Sequence, residues 1–198
     1  MSLELVNTLA TFGTFVVIAA TAIAAIVQLR HARSSNQIAA LNELRETFEK
    51  ADFIDAEQFV KRELSTKVQD PAFRYQYTER STTTEETRAL FIKIGSVESF
   101  YEAMGMLVKT GLVEEGLVLD YFSSSIIESW EKIAPIVAIA RRRAGDALWE
   151  NFEYLAVLSQ DWVAAHPKGT YPAGVRRIEL KDEWLEADKQ YAASLAPA

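Results

Sequence analysis

Residues 9–27 read LATFGTFVVIAATAIAAIV, nineteen positions without a charge, in a chain whose remainder mixes apolar and charged side chains at helical intervals. At about 1.5 Å of rise per residue this segment reaches roughly 28 Å as a helix, close to the ~30 Å hydrocarbon core of a bilayer. A core helix of a soluble protein keeps a polar stripe. Here the polar groups are the hydroxyls of Thr11, Thr14 and Thr21, which can bond back to the helix backbone. A cleaved signal peptide fits poorly, because Glu4 stands where Lys or Arg is needed and the apolar run is too long. The pattern predicts one membrane-spanning helix.

No Pro or Gly occurs between Thr14 and Asp70, so the helix is expected to continue past the span through Arg33. Ile38, Leu41, Leu44 and Phe48 then mark one apolar face. A break is expected at residues 52–55, with Asp55 and Gln58 as a capping box for a short helix through Phe59, Val60 and Leu64. Residues 65–83, with Pro71 and many Ser and Thr, read as irregular. Thr83 with Glu86 is a second capping box. It opens a helix whose seam is Leu90, Ile94, Val97, Tyr101, Met104 and Val108, closed by Gly111 with Leu112 and Val113 beside it.

The next helix is expected over residues 114–142, with Val118, Tyr121, Phe122, Ile126, Trp130, Ile133 and Val137 inward and a kink or restart caused by Pro135. The two long helices form an antiparallel hairpin in this reading. Gly145 closes the second, and Asp146 caps a further helix with Trp149, Phe152, Leu155, Ala156, Trp162 and Val163 on one side. Pro167, Gly169, Pro172 and Gly174 break the pattern, and Leu180, Trp184, Tyr191 and Leu195 recur at helical spacing in a charged tail. The fold class is therefore all-α. A membrane anchor (residues 1–33, span 9–27) precedes a helical cytoplasmic domain (34–166) and a C-terminal tail (167–198).

Charge sets the orientation. Arg30, His31 and Arg33 follow the span and only Glu4 precedes it, which places the N-terminus outside and the domain in the cytoplasm of a cell membrane. From residue 34 onward 19 Lys or Arg face 27 Asp or Glu, a net of −8, which argues against nucleic acid as a partner. The chain has no Cys, so disulfides and thiol catalysis are excluded.

Chemistry is sparse. The two histidines, His31 and His166, make no metal-binding spacing, and no Gly-rich phosphate loop is present. Glu98 and Glu102 lie one helical turn apart and can in principle share a metal or a proton, but two carboxylates on a solvated flank are commoner. Ser123, Ser124 and Ser125 show no base within reach and read as small residues at a close helix contact. Arg141, Arg142 and Arg143 compensate a helix dipole. No catalytic, cofactor-binding or metal-binding residue is assigned, and no cofactor is implied.

The run SFYEAMGMLVKTGLVEEGLVLDYFSSSIIESWEKIAPIVAIARRRAG, followed by LWENFEYLA, resembles an uncharacterised family of small bacterial proteins. Phe100, Glu102, Gly105, Gly111, Phe122, Trp130, Arg141, Phe152 and Leu155 carry the likeness, which covers residues 30–158 loosely and 100–155 more closely. It implies one N-terminal span and a helical cytoplasmic domain, with no assigned activity.

The expectation is a non-enzymatic interaction or regulatory module at the membrane. The alternative is a membrane-active effector, in stress or phage defence for example, triggered by assembly of the cytoplasmic domain. The expected partners are the membrane and a protein, most simply a second copy of the chain through Ala20 and Ala24. The sequence neither indicates nor excludes a small-molecule ligand. A Glu102–Arg141 pair across the hairpin is a further expectation.

Overall fold

The computed structural model describes residues 3–195, without the side chains of Leu5, Val6, Leu9, Ala10 and Arg80. All its regular elements are helical, and the chain divides into two compact units, Met1–Pro167 and Lys168–Ala198.

The first helix, α1 (Leu3–Phe48), is one uninterrupted element of 46 residues that contains the predicted span and the stripe after it. The stripe divides. Ile38 is 56% exposed, Leu41 is half-buried, Leu44 is buried, and Phe48 packs its ring against Phe53, Phe100 and Phe122. The break falls at Glu49 and Lys50, earlier than expected, and α2 (Ala51–Arg62) starts with no side-chain cap. Asp55 lies inside α2 and pairs with Lys93 at 2.7 Å, so it caps nothing.

Residues 65–83 are more ordered than their composition suggests, with a short helix α3 (Leu64–Lys67), a second helix α4 (Pro71–Thr78) and a 3-10 turn (Arg80–Thr82). Pro71 sits where a helix tolerates it, in the first turn, and Asp70 accepts the Ala72 N–H at 2.8 Å. Phe73 and Tyr77, four apart, are the buried pair, whereas Tyr75 faces solvent.

The capping box of α5 (Glu85–Lys109) is one residue later than expected. Thr84 and Thr87 exchange the two bonds, while the Thr83 hydroxyl donates to the Gln76 carbonyl. The predicted α5 seam is buried, except that Leu90 is half-buried, and Phe91, Glu98, Phe100 and Gly105 widen the buried face. At its end Gly111 takes φ +68°, and the N–H groups of Leu112 and Gly111 close on the carbonyls of Leu107 and Val108. That is the Schellman motif, which a glycine at this position permits. Val113 buries itself at the turn, and Leu112 stays 57% exposed.

The long helix α6 (Glu115–Ala144) runs through Pro135 without restarting. Val118, Phe122, Ile126, Ile133 and Val137 are buried as predicted. Tyr121 is not inward but 58% exposed. The ring of Phe48 touches both Phe100 and Phe122, and Glu57 bonds Tyr101, Ser125 and Ser129. With the turn at Gly111, these contacts make α5 and α6 antiparallel. α2 packs against both of them, and so does α7 (Glu150–Ala165). Phe152 of α7 stacks on Tyr101 and meets Trp130 edge-on, closing the core.

In the second unit α8 (Leu185–Leu195) is helical, with Leu180 and Trp184 outside it and no buried residue.

Candidate functional site

The most unusual surface is α1 itself. Phe12, Phe15, Val17, Ile18, Ile23 and Ile26 are all exposed, and among the described residues α1 contributes the one helix long and apolar enough to cross a membrane. Thr11 and Thr21 bond back to the carbonyls of Asn7 and Val17 at 2.9 and 2.8 Å, so their hydroxyls need no water. Ala20 and Ala24, four residues apart, are exposed on this helix.

A second cluster joins α2, α5 and α6 where sequence showed only three serines. Three hydroxyls donate to Glu57 Oε1, Tyr101 at 2.8 Å, Ser125 Oγ at 2.8 Å and Ser129 Oγ at 3.5 Å, and Lys61 Nζ forms an ion pair with the same oxygen at 3.2 Å. Lys61 also donates to Ser125 Oγ at 2.7 Å and pairs with Glu128 at 3.2 Å. A carboxylate base is thus within reach of Ser125, contrary to expectation. Nevertheless Ser125 sits in regular mid-helix geometry and its oxygen is already taken by a Lys61 hydrogen, so the arrangement locks three helices together. The i, i+4 pair Glu57 and Lys61 was the available sequence signal, but their partners lie more than 40 residues away.

Burial, and after it the charge of Glu57, raises the Tyr101 phenol well above its ordinary value of 10.0. The unfolded chain therefore loses this proton at a lower pH than the folded one. The contribution is intact below pH about 10 and declines as pH rises through the window above it. Tyr101→Phe is expected to flatten the alkaline fall in stability while costing about 1 kcal/mol at pH 7 through the lost bond to Glu57. Denaturant titrations at pH 8 and above pH 10 check this, and an unchanged alkaline slope contradicts it.

Glu98 and Glu102 do not share a site. Glu98 is 2% exposed and accepts the Tyr77 hydroxyl, at 3.2 and 3.4 Å to its two oxygens, so it is no solvated flank residue. Glu102 reaches α7, where it accepts the Phe152 N–H at 2.9 Å and the Asn151 side-chain amide at 2.7 Å. Asp146 does not cap α7. The N-cap is Trp149, in the left-handed region at φ 58°, and it offers no side-chain acceptor. Glu102 supplies that acceptor from another helix, placing a negative charge at the positive end of the α7 dipole.

Arg141 does not meet Glu102 either. Its Nε donates to the Leu148 carbonyl at 2.9 Å, and its Nη2 lies 2.7 Å from Glu153 as an ion pair without hydrogen-bond alignment. The expected pair is thus replaced by two separate fastenings of the same segment, the start of α7. Arg143 fastens α4, donating to the Thr78 carbonyl at 2.7 Å and to Glu79 at 2.8 Å. An open cavity of about 580 Å³ lies nearby, lined in part by Tyr77, Phe91, Glu98, Arg143 and Trp149.

Among the described residues no three or more His, Asp or Glu side chains converge as metal ligands. His166 turns Nδ1 to the Trp162 carbonyl at 2.8 Å and stacks near the Trp162 ring.

Neither the curated proteins nor the solved structures give a match to this chain. A family model does match, over residues 15–162, which takes in most of α1 and the whole bundle as far as Trp162. The chain belongs to the family described as a domain of unknown function, DUF4760.

Proposed function

We propose that the chain is a single-pass membrane protein whose helical bundle lies on the cytoplasmic side and acts, without catalysis, as an interaction or regulatory module. The continuity of α1 carries this reading. A helix of 46 residues is roughly 69 Å long, beyond the ~40–45 Å of a whole bilayer, so the part after the span must project from it. That projecting part is the one seated on α5 and α6 through Leu44 and Phe48. The bundle is thus joined to the span by helix rather than by a flexible linker, and a rotation or approach of spans is transmitted to the bundle.

The partner in this reading is a second copy. Ala20 and Ala24 let two α1 backbones approach closely, a packing gain that lipid tails do not supply. Light scattering of the intact protein in mild detergent is expected to give a dimer mass. Replacing both alanines with Leu is expected to reduce self-association at least tenfold in a membrane two-hybrid assay, with insertion unaffected. A monomeric mass together with an unchanged two-hybrid signal overturns the assembly reading.

A further inference from the structure

We infer that the α5–α6 turn, led by Leu112, is a second membrane contact at the outer edge of the lipid headgroup layer beside the span. The inference rests on the reading of α1 as a membrane helix. Three contacts fix the direction of the hairpin along α1. Phe48 meets Phe100, at 6.2 Å between ring centres. Ala40 and Leu44 share a groove with Phe100, Ala103 and Leu107. Arg33 donates to the Gly111 carbonyl at 3.4 Å. As α1 is followed back toward the span, α5 advances toward its own end, so the two are antiparallel and the turn is the point of the hairpin nearest the bilayer.

The level follows from helix geometry. Arg33 lies six residues beyond Val27, roughly 9 Å along the axis, and the headgroup region adds about 5–7 Å to each side of the hydrocarbon core. An arginine side chain that reaches the turn therefore meets it near the outer limit of the headgroups. At that point the Schellman geometry turns Val113 into the core and leaves the larger Leu112 exposed. An exposed leucine on a glycine-bearing turn loses apolar surface to lipid without moving the bundle, and Arg33 stands beside it as a cation for lipid phosphates, whereas Lys109 is held by Glu150 and Asn151 of α7.

The absence of Cys makes single substitutions clean reporters. Full-length Leu112→Cys, Ile18→Cys and Asp146→Cys proteins, labelled with an environment-sensitive fluorophore, are placed in phosphatidylcholine–phosphatidylglycerol nanodiscs and quenched with lipids spin-labelled near the headgroup or deep in the chain. Ile18, exposed at the middle of the span, is expected to be quenched by the deep label, Leu112 at least twofold by the shallow label, and Asp146 by neither. Quenching at Ile18 with none at Leu112 overturns the second contact and leaves the anchor standing. No quenching at Ile18 overturns the anchor and the contact together.

Discussion

Gly105→Val is expected to destabilise the bundle by about 3 kcal/mol, the upper range for forcing extra atoms into a packed interior. A side chain on Gly105 would overlap the carbonyl oxygen and carbon of Asn151. What it meets is backbone, so no rotamer change relieves the overlap and the start of α7 must move away. That movement separates Glu102 from the Phe152 N–H and Phe152 from Tyr101. A β-branched residue does gain helix propensity over glycine, by a few tenths of a kcal/mol, too little to offset the overlap. For a chain of this length the loss is roughly 6–12 °C in Tm. Gly95→Ala is the control in the same helix: nothing lies within 4 Å of the added carbon, so up to about 1 kcal/mol of stabilisation is expected. Thermal melts of the two variants in detergent test the pair of signs, and equal Tm values contradict the placement of α7.

Glu57→Ala is expected to cost about 3–5 kcal/mol, the range for removing one partner of a buried charged cluster. The side chain of Glu57 is 12% exposed, and three hydroxyls and the Lys61 ammonium meet at a single oxygen. Without it Tyr101 and Ser129 are left with buried hydroxyls, and Lys61 keeps only the solvent-facing Glu128 and the Ser125 oxygen. Glu128→Ala removes the exposed arm alone and should cost less than about 1 kcal/mol. Denaturant unfolding separates the two, and a Glu57→Ala protein within 0.5 kcal/mol of the parent shows that the cluster does not bind α2 to the hairpin.

These two positions show where sequence reading stops. The long apolar helix α1 is legible as an unbroken charge-free run, and the α5 seam and most of the inner face of α6 are legible because each is a local periodicity, set by which side chains face one neighbouring surface. The Thr83 reading missed by one residue since two threonines in succession offer the same cap chemistry, and packing decides between them. Helix α4 is hard to see in the sequence because Pro71 breaks a helix in its interior, whereas a proline preceded by Asp70 starts one. The fastening of α7 was not legible at all. Its acceptor, Glu102, is 50 residues from the N–H it receives, and Glu57 is 68 residues from Ser125. Nothing in local spacing links such residues. The expected Glu102–Arg141 pair was right about the neighbourhood and wrong about the bond, since each residue spends its charge on α7 instead of on the other.

The central claim is that α1 crosses the membrane once and leaves the bundle on the cytoplasmic side. Single-cysteine labelling of the full-length protein with a membrane-impermeant maleimide in intact cells tests it most directly, because the parent chain has no Cys to give background. Thr8→Cys is predicted to label in intact cells, and Ser35→Cys only after the membrane is permeabilised. Labelling of Ser35→Cys in intact cells with protection of Thr8→Cys would reverse the orientation, and recovery of both variants in the soluble fraction would contradict the anchor itself.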